Sequence, residues 1–466
     1  MPPLIDLLLG PIGVLLGSVV LIILLVAIFR VPAFFALFAA ALAVGLATAI
    51  SRHEPDRFLS AIRGTMAAGG AAFANLAFPI AVAAVIGACL SESGGADRIV
   101  RQAIGVLGEK MAGVAFLLTA FVLSAPVFID TVLMLLLPLA RAMRLRTGSH
   151  YLLYVLVICG AASVSNGLIP PAPGPLFVAS ALKLELGKAL AAGAAFGVLP
   201  LIAVYLVAKF FDHRMTVPLR PVDGSDLEAL QATLQAPDST LPGFGVSILP
   251  ILLPLVLIGG SSLVGVGGFR LSPALAACAR FLGDKSVALS IGAGVAIGVL
   301  ARQKRLGWRW VGPELRRPLE AAGMIILVIS SGGAYGGMIK AAGIGQVARN
   351  LAGNHAPNFI LLGWATAALM RAAQGSATVA SITAISIIVS IAGAAGFGVH
   401  PIYVYLAVGF GSKFLDWMNN SGFWVICRWG GLTQGETLRT WTILVSAVSL
   451  VGLAEVLTAS ALFPAL

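Results

Sequence analysis

Hydrophobic residues run in unbroken stretches along almost the whole chain, from Leu7 to Phe463, and polar residues collect between them. Crossing a bilayer as a helix takes ~20 mostly apolar residues. Stretches of that kind recur at 7–29, 33–50, 71–91, 151–180, 189–208, 246–266, 286–300, 321–339, 401–425 and 440–460, and 111–140 and 358–392 read as broken pairs. Strand barrels also span membranes, but their segments are short and alternate apolar with polar positions, whereas these runs are continuous. The pattern predicts an all-α polytopic membrane protein. The first run follows Asp6 instead of a basic leader and passes through Arg30, Val31 and Pro32 into the second, so it reads as a retained span and not a cleaved signal.

The two broken pairs set the topology. If each is a re-entrant hairpin that enters and leaves on one side, 18 of the 30 Lys and Arg residues, among them Arg141, Arg144, Arg146, Lys304 and Arg305, fall on one face. The other face receives 10, including Arg52, Arg57 and Arg63, and Arg371 and Lys413 remain inside membrane segments. The richer face is expected to be cytoplasmic, with both termini outside.

The spans also repeat. Gly87 and Gly94 lie seven apart, as do Gly336 and Gly343; Ser124 follows Gly94 by 30 residues and Gln374 follows Gly343 by 31; Asn166 follows Gly94 by 72 and Asn419 follows Gly343 by 76. Landmarks in register predict two repeats of inverted topology. The expected organisation is N-terminal spans and an interfacial helix at 1–70, and a first repeat at 71–208 with its hairpin near 111–140. A cytoplasmic linker follows at 209–245, with a short helix near Asp226–Leu234, then scaffold spans and a basic cytoplasmic loop at 246–320. The second repeat takes 321–425 with its hairpin near 358–392, and a C-terminal loop and last span take 426–466.

Composition narrows the function classes. With 59% hydrophobic and 11% charged residues and 54 glycines in 466, the chain is unlike a soluble domain. Its formal charge of +11 is spread between spans, which excludes a nucleic-acid surface as the reason for it. Cys89, Cys159, Cys278 and Cys427 stand singly, without metal or redox spacing. The five histidines lie at span ends or in loops, and no HExxH run occurs. A metal site, a cofactor and an intramembrane enzyme therefore have no partners in the sequence. A channel would need a continuous polar lining, and polarity here is confined to four breaks.

Those breaks are Ser124–Thr131, Ser163–Pro175, Arg371–Thr378 and Lys413–Gly422. Interrupted helices expose backbone N–H and C=O groups at mid-membrane, where transporters hold ions and substrates. Helix N-termini suit a carboxylate, and Ser165, Asn166, Gly375, Ser376, Thr378, Asn419, Asn420 and Ser421 suit a hydroxylated substrate. Arg371 either holds its hairpin or meets the substrate carboxylate. Asp130 is the candidate coupling carboxylate, with Asp416 second. Lys413 and Asp416, three apart, would pair on one helical face.

The runs LMRAAQGSATVA, NNSGFW with GLTQGETLRTW, NGLIPPAPGP and GACLSESGGADRI resemble signatures of the gluconate:proton symporter family. The resemblance spreads over most of the chain. It implies the ion-transporter superfamily fold: a scaffold, a mobile transport part with two re-entrant hairpins, a homodimer and elevator-type access in a bacterial inner membrane. Where that family has histidines in an HGLVPPHPGP-like run, this chain has Asn166 and Ala172. Where it has SHVNDSGFW, this chain has Asp416, Trp417, Met418, Asn419, Asn420 and Ser421, and Trp417 is expected to narrow the pocket or stack on the substrate. The function so implied is symport of a small hydroxylated organic anion with H⁺; Na⁺ coupling on the same fold is the alternative.

Overall fold

Hydrocarbon offers the backbone no partners, so apolar runs of this length bond within themselves as helices. The computed structural model describes residues 10–53, 56–127, 129–220, 240–262, 272–305, 308–343, 358–393 and 396–464, and it is helical throughout with no strand among them. Among the described residues eight helices are long and apolar enough to cross a membrane; the bent pair Gly95–Leu107 and Glu109–Leu123, turned by 114°, makes a ninth if taken as one span.

Burial separates centre from rim. The segment Tyr151–Ala181 is 94% buried over its most apolar stretch, against 28% for Leu186–Arg214 and for Phe244–Ser262. The first is therefore a central element, and the other two turn apolar side chains such as Leu206, Phe210 and Val256 outward, toward lipid.

Two helices are longer than the hydrophobic pattern predicts. The helix α1 (Arg57–Glu92) has 36 residues with Pro79 inside it, about 54 Å at ~1.5 Å per residue against ~30 Å of hydrocarbon. The separate interfacial helix expected before residue 71 is thus the first part of α1. Likewise α2 (Trp308–Ala341) has 34 residues, and it takes in Arg309, Arg316 and Arg317 where a basic loop is expected. Both elements continue as helix past the point where charge ends the apolar run, α2 even through Pro313 and Pro318. The two helices pack through small residues: a Cβ at Gly337 would lie 2.5 Å from the Ala68 methyl, and one at Gly69 would lie 3.2 Å from the Ser330 carbonyl oxygen. Close backbone approach of this kind is how helices associate where lipid removes the hydrophobic drive.

The four breaks are where helices stop. The first separates α3 (Ala112–Leu123) from α4 (Ile129–Thr147), and the second separates α5 (Tyr151–Leu168) from α6 (Pro173–Ala181), with a cis Pro170–Pro171 bond between them. The third is a tight turn at Gly375 and Ser376 between α7 (Phe359–Gln374) and α8 (Ala377–Ala392). The fourth is the non-helical stretch from Ser412 to Asn420 between α9 (Pro401–Gly411) and α10 (Ser421–Gly430). A long helix, two half-helices and an interrupted helix therefore occur twice in the same order. The packing is reciprocal: α3 lies on α5 as α7 lies on α9, while α6 rests on α8 of the other half and α10 rests on α4.

Of the linker, residues 221–239 lie outside the described residues, and with them the short helix near Asp226–Leu234. Its described start is fastened: Arg220 donates to both Glu436 carboxylate oxygens at 2.7 and 2.9 Å and to the Gly431 carbonyl at 2.9 Å, and Arg141 donates to the Arg220 carbonyl at 2.6 Å.

Candidate functional site

The four breaks converge on one cavity of about 600 Å³, within the usual range of ligand pockets, roughly 300–1,000 Å³. Asp130 and Thr131 enter it from the first turn of α4, Ser163 and Asn166 from the last turns of α5, and Arg371 from the last turn of α7. Ser376 and Thr378 enter at the start of α8, Lys413 and Asp416 from the non-helical stretch, and Asn420 and Ser421 at the start of α10. The apolar wall includes Met324, Ile325 and Val328 of α2, with Ile426 and Trp441. Four helices thus begin at or beside the cavity, each with first-turn N–H groups that lack helical partners. At α8 the Ser376 hydroxyl caps Val379 N–H at 3.4 Å, and at α10 Asn420 supplies no side-chain cap.

The charged groups are not arranged as local spacing suggests. Arg371 Nη2 forms an ion pair with Asp416 Oδ2, both side chains being almost fully buried. Asn420 Nδ2 donates to both Asp416 oxygens at 3.0 Å, and Thr442 Oγ1 donates to the Asp416 carbonyl at 2.6 Å. The expected pairing of Lys413 with Asp416 does not form, because Ser412–Asn420 is not helical and Leu415 sits in the left-handed region at φ 52°. The three-residue spacing therefore no longer places the two side chains side by side. Lys413 is 5% exposed and lines the cavity. Its ammonium makes no hydrogen bond or close ion pair with any described residue, although its backbone N–H donates to the Phe410 carbonyl at 3.0 Å. Its stem crosses Gly167, where any Cβ would clash with Lys413 Cε. Asp130 likewise faces the cavity without a hydrogen bond or ion pair among the described residues.

Several residues singled out in the sequence hold the site without lining it. Asn419 Nδ2 donates to the Ala372 carbonyl at 2.8 Å, and Trp417 Nε1 donates to the same oxygen at 3.0 Å. Trp417 is 42% exposed and outside the cavity lining, so the structure puts its ring on the outer side of the third break. Gly375 adopts φ 81°, and a Cβ there would collide with the Asn419 carbonyl; only glycine suits both demands. Ser165 neither lines the cavity nor holds it: it is fully buried, and its hydroxyl has no hydrogen-bond partner among the described residues. Asp130, Asn166, Arg371, Ser376, Thr378, Asp416, Asn420 and Ser421 do come together. Thr131 and Ser163 were missed, although each sits within three residues of a candidate. The apolar wall of α2 carried no signal, since an apolar residue in a span looks alike on every face.

A second cavity of about 250 Å³ shares Thr131 and Ala321 with the first and extends to Glu92, Glu314 and Arg317. Lys304 bridges the two glutamates, at 2.6 Å from Glu92 and 3.7 Å from Glu314.

Comparison with known proteins agrees with the resemblance carried by the motifs. The model of the GntP family permeases matches residues 10–462. The high-affinity gluconate transporter of Escherichia coli K12 is 30% identical over 448 residues, 95% of this chain and 98% of that one. The L-idonate transporter of the Gnt-II system of the same organism is 28% identical, over 97% of this chain and 99% of its own. Among solved structures, the MtrF efflux pump of Neisseria gonorrhoeae superposes with a TM-score of 0.66 at 14% identity, over 91% of this chain and 94% of that chain. The YdaH transporter of Alcanivorax borkumensis does so with a TM-score of 0.61 at 13% identity, over 88% and 90%. The interrupted helices, the shared cavity and a family match over nearly the whole length lead to one conclusion: the chain is a multi-pass membrane transporter and belongs to the GntP permease family.

Proposed function

We propose that this permease carries a small hydroxylated organic anion, gluconate or a related sugar acid, across a bacterial inner membrane together with a proton. The observation that carries the reading is the cavity at the four breaks, where cationic side chains, hydroxyls, amides and helix N-termini meet inside an apolar wall. Ser163, Ser376, Thr378, Asn166 and Asn420 supply donors and acceptors for substrate hydroxyls. The names of the curated relatives, gluconate and L-idonate transporters, support the substrate class.

Asp130 is the proposed proton-coupling group, since it faces the cavity with no partner among the described residues to hold its charge fixed. Loading outside and release inside would then follow from two exposures of one cavity. The adjoining space beside Glu92 and Glu314, on the face taken as the one richer in Arg and Lys, is the proposed route to the cytoplasm. Elevator-type movement of the hairpins and broken helices against a scaffold containing α1 and α2, in a homodimer with both termini outside, completes the proposal. The two repeats are taken as inverted; the reciprocal packing of α6 on α8 and α10 on α4 supports a two-fold relation between them.

The test is counterflow of labelled gluconate in proteoliposomes, followed by uptake under an imposed pH gradient. Exchange together with uptake driven by inward-directed protons is expected. Uptake that needs Na⁺ and ignores the pH gradient would replace the proton with Na⁺, and flux without exchange would remove the carrier.

A further inference from the structure

The cavity holds two buried cationic side chains, and they are not equivalent. Arg371 is committed through Nη2, which is paired with Asp416, held in turn by Asn420, while its Nε is buried without a partner among the described residues. Lys413 is 5% exposed, and yet its ammonium has no hydrogen-bonding or close ion-pairing partner among the described residues. A buried ammonium costs several kcal/mol unless something pairs with it, so an anion entering the cavity stabilises Lys413 in its charged form. The fold makes room for that ammonium specifically. Gly167, where α5 ends, leaves the space through which the lysine stem passes, and a Cβ there would strike Lys413 Cε and lie 3.1 Å from Nζ. The same stretch of α5 is drawn close to α9 by the Tyr405 hydroxyl, which donates to the Leu168 carbonyl at 2.6 Å.

We infer that Lys413 is the anchor for the substrate's carboxylate, and that Arg371 is a positioning residue that fixes the fourth break against the third. The inference rests on the cavity being the substrate site. With one uncommitted cation, and with Asp130 and Asp416 on the lining, the site accepts one carboxylate and repels a second. The rest of the substrate then meets the hydroxyls and amides of Ser376, Thr378 and Asn420. A lone lysine can serve here because it binds a carboxylate as a point charge.

The test is equilibrium binding to the purified full-length protein in nanodiscs, with D-gluconate, its uncharged polyol counterpart sorbitol, and the dicarboxylate glucarate. In the unmodified protein, gluconate is expected to bind at least tenfold more tightly than either of the others. Lys413→Gln should lose at least tenfold in gluconate affinity, about 1.4 kcal/mol, with sorbitol binding unchanged, and Lys413→Arg should recover part of it. A merely structural lysine would lower both ligands together. Unchanged gluconate binding in Lys413→Gln, with weakened binding in Ser376→Ala, overturns the anchor and leaves the site standing. If neither variant alters binding, the site and the anchor fall together. Sorbitol or glucarate bound as tightly as gluconate, or no gluconate binding at all, overturns the inference without recourse to any variant.

Discussion

Arg371 and Asp416 lie 45 positions apart in the chain, and their buried ion pair ties the third break to the fourth. Removing one partner strands the other charge, a loss of about 3–5 kcal/mol. Asp416→Asn and Arg371→Leu should each lower the thermal midpoint of the purified protein by several degrees. The double variant Arg371→Leu with Asp416→Leu should regain much of that stability while transport stays lost. Arg371→Lys is expected not to restore transport, because an ammonium lacks the planar fork of the guanidinium. A double variant no more stable than either single one would show that the pair does not act as a unit.

Asp130→Asn keeps the size of the side chain and removes its capacity to carry a proton. Uptake driven by a pH gradient should disappear, and exchange of labelled for unlabelled substrate should persist. Persisting pH-driven uptake in this variant would move the coupling role to Asp416.

Ser376→Ala, Thr378→Val and Asn420→Ala each take a donor or acceptor from the lining. Leaving a substrate hydroxyl without its partner costs about 1–3 kcal/mol, so substrate binding should weaken severalfold or more in each, with folded protein recovered in normal yield. For Asn420→Ala the loss includes its bonds to Asp416, and a fall in thermal midpoint should accompany it; for Thr378→Val it should not.

Gly375→Ala adds a methyl where φ is 81° and the Asn419 carbonyl stands in the way. The cost should exceed ~1 kcal/mol and be read as a lower thermal midpoint together with slower transport.

In a background without the native cysteines, a cysteine at Arg305 should resist an impermeant thiol reagent in intact cells, and one at Arg52 should react. The opposite pattern would invert the proposed orientation.

The breaks were legible because Gly, Pro, Ser and Asn punctuate otherwise continuous apolar runs, as SNGLIPPAPGP and RAAQGSAT do. Each proline removes a helical bond that hydrocarbon will not replace and each glycine weakens a helix by about 1 kcal/mol, so clusters of them favour a break, although single prolines such as Pro79 stand inside continuous helices. Partner choice was not legible. Lys413 and Asp416 have the spacing of a helical pair, but the segment carrying them is not helical, and the carboxylate instead meets an arginine from the hairpin that precedes it. Trp417 occupies a motif position that suggests a pocket residue, yet its indole bonds to Ala372 on the outer side of the turn. The length of α1 was hidden because Arg57 and Arg63 mark the edge of an apolar run without ending a helix.

Because α6 leans on α8 and α10 leans on α4, each half of the chain supplies the bed on which the other half's broken helix lies. The cavity is divided the same way, with Asp130 and Asn166 from one half and Arg371, Ser376, Lys413 and Asn420 from the other. Neither half owns a complete site. A chain severed in the linker should be inert as separate pieces and active when both are made in one cell, and a charge gained by one half is felt at once by the other across a gap that no covalent bond spans.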